Sequence, residues 1–126
     1  MTDHRRALGA HAEQLVADHY AADGYTIEAR NWRCPLGELD LVARRGDLIA
    51  FIEVRSTTGD YLASPTLTVS APKQRRVARA ADQYLARRAT APRDIRFDVV
   101  GVIIGKGRGA PRIERVENAF TPPWAL

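Results

Sequence analysis

A chain of 126 residues, 45% of them hydrophobic, can bury the core of one globular domain, and we expect a single domain over residues 1–126. No run approaches the roughly 18 consecutive apolar residues that a membrane span requires. We therefore expect a soluble, unexported, cytoplasmic protein without a membrane partner. The single cysteine, Cys34, excludes an intrachain disulfide and suits a reducing compartment.

The positive charge of the chain is concentrated in one segment. Residues 72–96 hold eight basic and two acidic residues, a local net charge of +6, whereas the whole chain carries only +4. A basic element beside a slightly acidic remainder is expected when one part of a protein faces phosphates and another holds metal-binding carboxylates. The distribution of charge therefore favours a polyanionic partner.

The first two predicted elements are a helix and a strand. The helix runs from Arg5 to Ala22, and Gly24 follows where a helix stop is expected. Its apolar residues recur at spacings of three and four: Leu8, Ala12, Leu15, Val16 and Tyr20. The mixture of β-branched, aromatic and polar residues from Tyr25 to Arg33 then predicts a strand.

A β-hairpin follows in the sequence. Glu38–Arg45 and Leu48–Arg55 both have the composition of strands, and only Gly46-Asp47 separates them. This dipeptide suits a two-residue turn whose backbone takes positive φ angles. We therefore predict two adjacent antiparallel strands with a register set by this turn.

A polar stretch and a second helix come next. Residues 56–69 contain Gly59 and Pro65 and have no convincing period, which predicts a long loop whose role the sequence leaves open. Ser70 stands in the position of an N-cap, and we expect the helix to end near Thr90. Its apolar stripe consists of Val77, Ala81, Tyr84 and Leu85.

The last part of the chain predicts two more strands. Residues 95–104 are rich in Val and Ile, residues 105–109 form a glycine-rich turn, and residues 112–117 suit a short edge strand ahead of an irregular tail. The predicted order is helix, three strands, helix, strand and edge strand. This order indicates an α/β fold.

The hairpin register brings two carboxylates together. Counting outward from the turn places Asp40 opposite Glu53. By the same count Glu38 faces Arg55, and all four side chains share one face of the sheet. Directly opposed residues have Cβ atoms about 4.5–5.5 Å apart, so two carboxylates there repel each other. A hard divalent ion such as Mg²⁺ neutralises such a pair, and two carboxylates with a substrate phosphate suffice to hold it.

The pattern alone leaves other roles open for these residues. The two opposed carboxylates could instead reach solvent at a sheet margin, with Arg55 bridging Glu38 in a cross-strand ion pair. Glu13 lies on the first helix in line with Gly9, where a small residue would permit close approach to the sheet. Glu13 is therefore either a third carboxylate of the site or an ordinary glutamate at the helix boundary.

The second helix carries cations on more than one face. Lys73 and Arg76 share one face with Ala80, whereas Arg75 and Arg79 share another. These side chains could hold a phosphate backbone without reading base sequence. A solvated basic helix is the alternative.

Asp98 is a polar residue inside the apolar strand of residues 95–104. A buried carboxylate is costly unless it is paired, so we expect a partner for it. A helix-borne arginine in a structural role and a place at the border of the site are the two interpretations, and we favour the structural role.

Short segments along nearly the whole chain resemble one bacterial family, although each of them alone is weakly specific. They are Gly9 with Ala12-Glu13, Gly24-Tyr25, Arg30-Asn31-Trp32-Arg33, Gly37-Glu38-Leu39-Asp40-Leu41-Val42, Glu53-Val54-Arg55, Lys73 with Arg76, and Arg96-Phe97-Asp98-Val99-Val100. Together they are similar to the YraN-type uncharacterised bacterial proteins, which resemble Holliday junction resolvases within the PD-(D/E)XK nuclease superfamily.

The resemblance implies a restriction-endonuclease-like αβββαβ core, a mixed sheet flanked by helices, with a short extra C-terminal strand. It implies that Glu13, Asp40 and Glu53 bind Mg²⁺ or Mn²⁺. The superfamily motif ends in lysine, whereas this chain has Arg55, which stays protonated and cannot act as a base. Arg55 could stabilise negative charge on the phosphate, or Lys73 could supply the missing amine, and both alternatives stay open.

Three functions of different classes follow from these patterns. The first is a metal-dependent endonuclease for branched or structured DNA, held by Lys73, Arg75, Arg76 and Arg79, with a homodimer as a further expectation because junction-cutting relatives cleave two strands symmetrically. The second is a nucleic-acid-binding module that has kept the fold and lost hydrolysis, which the arginine at position 55 favours. The third is a nonenzymatic protein-interaction domain.

Overall fold

The chain forms a five-stranded sheet with one helix on each face. A computed structural model describes residues 2–58, 67–105 and 109–121. In chain order the elements are α1 (Thr2–Ala22), β1 (Thr26–Cys34), β2 (Gly37–Arg45), β3 (Leu48–Thr58), α2 (Ala71–Ala86), β4 (Asp94–Ile104) and β5 (Arg112–Val116). This is the predicted αβββαβ order with an additional C-terminal strand, and it confirms the restriction-endonuclease-like fold class.

The strand order of the sheet is β1-β2-β3-β4-β5. β3 and β4 run parallel, and the other neighbouring strands pair in the antiparallel direction. Parallel neighbours need a crossover connection, and α2 lies within the segment that links β3 to β4. The sheet is therefore mixed, as the resemblance implied.

Two buried clusters hold the helices against the sheet. The α1-side cluster includes Ala12, Val16, Tyr20, Leu41, Ile52 and Val100. The α2-side cluster includes Val42, Phe51, Val77, Ala81, Phe97 and Phe120. Because apolar side chains cover both faces, any charged group inside the sheet needs a partner. None of the helices in the described ranges is long and apolar enough to cross a lipid bilayer.

The hairpin between β2 and β3 has the predicted register. Gly46 takes a φ of 59°, which suits the two-residue turn, and Arg45 pairs with Leu48. The pairing continues outward to Leu41 and Ile52, the last pair recorded between these two strands. The start of β2 therefore lies beyond the paired part of β3.

Several predicted boundaries differ from the observed ones by one to four residues, among them the ends of α2 and β3. α2 ends at Ala86 rather than near Thr90, because the N–H groups of Arg87 and Arg88 donate to carbonyls three residues back and tighten the last turn. β3 continues to Thr58, into the segment predicted as a loop. The remainder of that loop over residues 59–66, part of the glycine-rich turn and the tail from residue 122 lie outside the described residues.

Candidate carboxylate site

The regular alternation of strand faces is interrupted at Asp40. Leu39 packs in the α2-side cluster and Leu41 in the α1-side cluster, although residues two apart share a face in a regular strand. Across from Asp40 on β1, Asn31 has a left-handed φ of 48°, a conformation that asparagine tolerates better than most residues. The prediction of one regular face along the start of β2 is therefore wrong.

Asp40 and Glu53 lie close together where β2 leaves β3. The Oδ2 atom of Asp40 accepts a hydrogen bond of 2.9 Å from the backbone N–H of Val54. Burial and the nearby charge of Glu53 raise the pKa of Asp40 from 3.8 to about 7. The two predicted carboxylates are thus neighbours, held by a side chain to backbone hydrogen bond beyond the last regular pair of the hairpin.

Glu53 pairs with a lysine from α2. The Nζ atom of Lys73 lies 2.9 Å from the Oε1 atom of Glu53, whose side chain is only 8% exposed. The start of α2 is fixed by the predicted N-cap, because the Ser70 side chain accepts the Lys73 N–H. Lys73 therefore supplies the positive charge that a buried carboxylate needs.

The first turns of α2 lie directly against the start of β2. A Cβ atom added to Gly37 would be 2.6 Å from the backbone oxygen of Arg76, closer than real Cβ contacts. Glycine at this position lets the helix approach the strand, because no smaller residue exists. This close approach places Lys73 within reach of Glu53.

Glu13, the third predicted metal ligand, comes to the same region from α1. The Nδ2 atom of Asn31 donates to its Oε2 atom at 3.0 Å. After burial and Glu53, the charge of Glu13 is a further cause of the raised pKa of Asp40, so the two carboxylates are near each other. The predicted close approach at Gly9 is wrong, since an added Cβ there would have nothing within 4 Å.

Arg55 has an unused hydrogen-bond donor. Its Nε atom is buried and has no partner within the described residues. Glu38, its partner in the alternative interpretation, instead pairs with Arg33 at 2.9 Å. A buried N–H without an acceptor costs free energy, so a ligand oxygen that reached this atom would bind favourably.

The basic segment divides its charge between the interior and the surface. Arg75, Arg76 and Arg79 are exposed on α2, but Ala80, predicted on the face of Lys73 and Arg76, is fully buried. Two further arginines of the segment form ion pairs with acidic residues of the protein itself, Arg88 with Glu28 and Arg96 with Asp98. The net positive charge counted from the sequence over residues 72–96 therefore exceeds the positive charge that this segment presents at the protein surface.

Asp98 has a structural role, as favoured from the sequence. It is fully buried and accepts hydrogen bonds from Arg96 Nε at 2.7 Å, from the Tyr20 hydroxyl at 2.8 Å and from the Asn118 N–H at 3.0 Å. The arginine comes from the same strand rather than from a helix. These bonds satisfy the carboxylate and tie α1 to β4.

Sequence reasoning missed Asn31 as a residue of this region. It lies opposite Asp40, holds Glu13 and lines an open cleft of about 490 Å³. The cleft is lined by Arg6, Gly9, Ala10, Glu13, Asn31, Arg33 and Glu38. The available signal was an asparagine inside a predicted strand, because asparagine is depleted in strands and enriched in left-handed positions.

The donor set of the site fits a hard divalent ion through two carboxylates. Across residues 2–58, 67–105 and 109–121, no three His, Cys, Asp or Glu side chains are arranged to hold a metal ion together. Asp40 and Glu53 nevertheless provide adjacent oxygen donors, and Mg²⁺ is commonly held by one or two carboxylates with waters and phosphates. Glu13 lies beside this pair, bonded to Asn31.

Comparison with known proteins agrees with the resemblance seen in the sequence. The chain is 42% identical over 117 residues to a UPF0102 protein of Rhodococcus jostii, covering 93% of this chain and 98% of that protein. It is 41% identical over 120 residues to a UPF0102 protein of Moorella thermoacetica, covering 95% and 100%. It is 44% identical over 115 residues to one of Symbiobacterium thermophilum, covering 91% and 97%. The family profile matches residues 12–102, and the chain therefore belongs to the uncharacterised protein family UPF0102, the YraN-type family.

Proposed function

We propose that this protein is a Mg²⁺- or Mn²⁺-dependent endonuclease that hydrolyses phosphodiester bonds in branched or structured DNA. The proposal is supported above all by the carboxylate pair of Asp40 and Glu53 at the end of the hairpin pairing, with the Lys73 amine 2.9 Å from Glu53. Two oxygen donors beside an amine are the groups that metal-assisted phosphodiester hydrolysis uses.

Asp40 and Glu53 bind the metal ion in this proposal. A Mg²⁺ or Mn²⁺ ion held there would polarise the phosphodiester and lower the pKa of the attacking water. The backbone N–H of Val54 holds the Oδ2 atom of Asp40, so Oδ1 is the atom proposed to bind the ion. Asn31 orients Glu13, which lies beside the pair and adds negative charge to the acidic side of the site.

Lys73 supplies the amine that the motif lacks at position 55. Its Nζ atom is already at Glu53, so it reaches the site from α2 without any rearrangement of the chain. There the amine orients the attacking water or holds a phosphate oxygen through its N–H donors. Arg55, two residues after Glu53 on β3, stabilises through its guanidinium the negative charge that develops on the phosphate in the transition state.

The exposed arginines of α2 hold the DNA backbone. Arg75, Arg76 and Arg79 lie on the same helix as Lys73, so a backbone bound along this helix passes close to the carboxylate pair. Such contacts position a polymer without reading its bases. We therefore propose selection by DNA shape, and a homodimer that places two sites on the two strands of a branched substrate.

The second candidate is a nucleic-acid-binding module of the same fold without hydrolysis. The observation in its favour is Arg55, because a guanidinium stays protonated and cannot act as a base, whereas a lysine amine can lose its proton. In this case Lys73 serves only as the counter-ion of Glu53, and the α2 arginines bind the backbone.

Cleavage assays on a four-way junction, a flap and a linear duplex with Mn²⁺ separate the two candidates. We expect cleavage of the junction, a loss of about 100-fold or more in Glu53→Gln, and parent activity in Asp18→Asn, an exposed carboxylate on α1. Binding to all three DNAs without cleavage would support the second candidate. Cleavage that survives in Glu53→Gln would contradict the proposed site.

A further inference from the structure

A second polar cleft lies at the opposite end of α2 from the carboxylate pair. It has a volume of about 270 Å³, and its lining includes Arg44, Gly46, Asp47, Arg88 and Thr90. The 16 residues of α2 span about 24 Å, with Lys73 in the first turn and Arg88 just beyond the last. This cleft is therefore separate from the site of the proposed hydrolysis.

A single carboxylate orients the two arginines of this cleft. The Oε2 atom of Glu28 lies 2.8 Å from Arg88 Nη2 and 3.3 Å from Arg44 Nε, and the Tyr84 hydroxyl donates to Oε1 at 2.7 Å. Although burial acts to raise it, hydrogen bonds from Arg88 and Tyr84 hold the pKa of Glu28 below its ordinary value. One negative charge thus faces two positive charges, so this group of three side chains carries a net positive charge.

Arg44 keeps donors available for a ligand. Glu28 is its one recorded partner within the described residues, and the contact uses Nε. A guanidinium has five N–H donors in a planar fork, so the four N–H bonds of its terminal nitrogens remain. Arg88 has fewer N–H donors left for a ligand, because its Nη1 atom also donates to the Thr90 carbonyl at 2.8 Å. Its side chain is only 18% exposed.

The acidic residue of the cleft wall opposes an anion only weakly. The Asp47 carboxylate lies 3.8 Å from Arg93, and its side chain is 74% exposed. Charges that are so exposed are screened by solvent and salt. Arg44 and Arg88, which are nearer to the protein interior, therefore dominate the electrostatics of the cleft.

We propose that this cleft binds a phosphate group. The fork of a guanidinium matches two phosphate oxygens, and Glu28 holds both forks in place before the ligand arrives. The volume is below the roughly 300–1,000 Å³ of ordinary small-molecule pockets, so the cleft suits one phosphate with its waters rather than a whole nucleotide.

The phosphate belongs either to a nucleic-acid backbone or to a free phosphate ion. In the first case the inference rests on the proposed function and extends it, since a backbone along α2 would contact the carboxylate site at one end of the helix and this cleft at the other. Binding of the phosphate itself does not depend on a metal or on hydrolysis.

A titration with inorganic phosphate, followed by amide NMR at low salt without divalent metal, tests the cleft. We expect saturable shifts at Gly46, Asp47 and Thr90, weakened about tenfold in Arg44→Gln. Arg112→Gln is the matched control, because Arg112 is also a strand arginine paired with a glutamate and is similarly exposed. Equal weakening in both variants, or shifts spread over the whole surface, would overturn the proposal.

Arg44 is the residue to change because Arg88 keeps Glu28 paired, so the fold retains this partly buried ion pair. Arg44→Lys is a second variant that keeps the charge and loses the fork. We expect it to bind phosphate with an affinity between those of the parent and Arg44→Gln. An affinity in Arg44→Lys equal to that of the parent would contradict recognition by the fork.

A duplex DNA titration without metal distinguishes the two sources of phosphate. If the ligand is a backbone phosphate, Arg44→Gln lowers the slope of log K against log salt by about one. If the slope is unchanged while inorganic phosphate binding is lost, the ligand is a free phosphate. Failure of the proposed hydrolysis would instead appear in the cleavage assay with metal present, as no cleavage by the parent or as unchanged cleavage in Glu53→Gln.

Discussion

Replacing Asp40 by asparagine tests how much the carboxylate pair lowers the free energy of unfolding of the protein. Burial and Glu53 raise the pKa of Asp40 from 3.8 to about 7. Between these two pH values the folded chain holds a proton that the unfolded chain has released, so stability falls as pH rises through this window. Above pH 7 the cost is complete, and below pH 4 it is absent.

The size of this cost follows from the pKa. One pKa unit corresponds to about 1.36 kcal/mol. A carboxyl group whose pKa is raised from 3.8 to about 7 therefore lowers the stability of the folded protein by at most roughly 4 kcal/mol when it is ionised. Burial is the largest cause of this cost and the charge of Glu53 the next, and because the two carboxylates titrate as a pair, Asp40→Asn recovers on the order of 2 kcal/mol at pH 8. The asparagine side-chain oxygen can still accept the Val54 N–H, so the substitution removes charge without removing that bond.

Urea denaturation of the parent and Asp40→Asn at pH values from 4 to 8 measures the effect. We expect the variant to gain stability over the parent progressively between pH 4 and 7, and then by a constant amount. Asp47→Asn, at an exposed carboxylate in the hairpin turn, should differ from the parent by less than about 0.5 kcal/mol throughout. A difference that does not change with pH, or an Asp40→Asn variant less stable than the parent at pH 8, would refute the reasoning.

Three further substitutions probe the supports of the site. Gly37→Ala should lower the free energy of unfolding, measured in urea, by about 1–3 kcal/mol, because its Cβ would meet the Arg76 backbone. Gly9→Ala is the control, since its Cβ enters open space and the substitution should be neutral or stabilising. Equal effects of the two substitutions would argue against close packing at Gly37. Asp98→Ala should cost about 3–5 kcal/mol in the same assay, since it removes the fully buried carboxylate that accepts from Arg96, the Tyr20 hydroxyl and the Asn118 N–H. A cost below about 1 kcal/mol would contradict that role. Lys73→Met should bind Mn²⁺ about fivefold more tightly in calorimetry, because the substitution removes a cation that competes for Glu53. The same variant should cleave DNA more slowly than the parent. Weaker Mn²⁺ binding would mean that Lys73 helps to form the metal site rather than competing with the ion.

The hairpin could be predicted from sequence because its determinants are local. Gly46-Asp47 selects a two-residue turn, and the turn fixes which residues face each other out to Leu41 and Ile52. The same count brought Asp40 near Glu53. The helices were also predictable from their apolar periodicity and from the Ser70 cap.

The geometry at Asp40 itself could not be predicted by counting. Counting assumes strict alternation, whereas Asn31 has a left-handed conformation and Leu39 and Leu41 pack on opposite faces. Packing against both helices determines this break, and tertiary packing routinely overrides a local pattern. Lys73 was named only as one of two alternatives for the missing lysine of the motif, because its contact with Glu53 joins β3 to α2 through tertiary packing that local sequence patterns do not determine.

The charge of the basic segment was overestimated for a similar reason. Arg88 pairs with Glu28, and Arg96 pairs with Asp98 inside the sheet. The first of these pairs joins residues 60 positions apart in the chain, a separation at which sequence spacing carries no information about contact. The net charge of a segment therefore indicates a polyanionic partner, but it does not show which basic side chains are exposed at the surface to bind that partner.

Calorimetric titration with Mn²⁺ at pH 7.5 tests most directly whether Asp40 and Glu53 share a metal ion. We expect saturable binding to the parent and to Asp18→Asn, and a loss of affinity of about tenfold or more in both Asp40→Asn and Glu53→Gln. Equal Mn²⁺ affinity in the parent and in these two variants would contradict a metal site at the carboxylate pair.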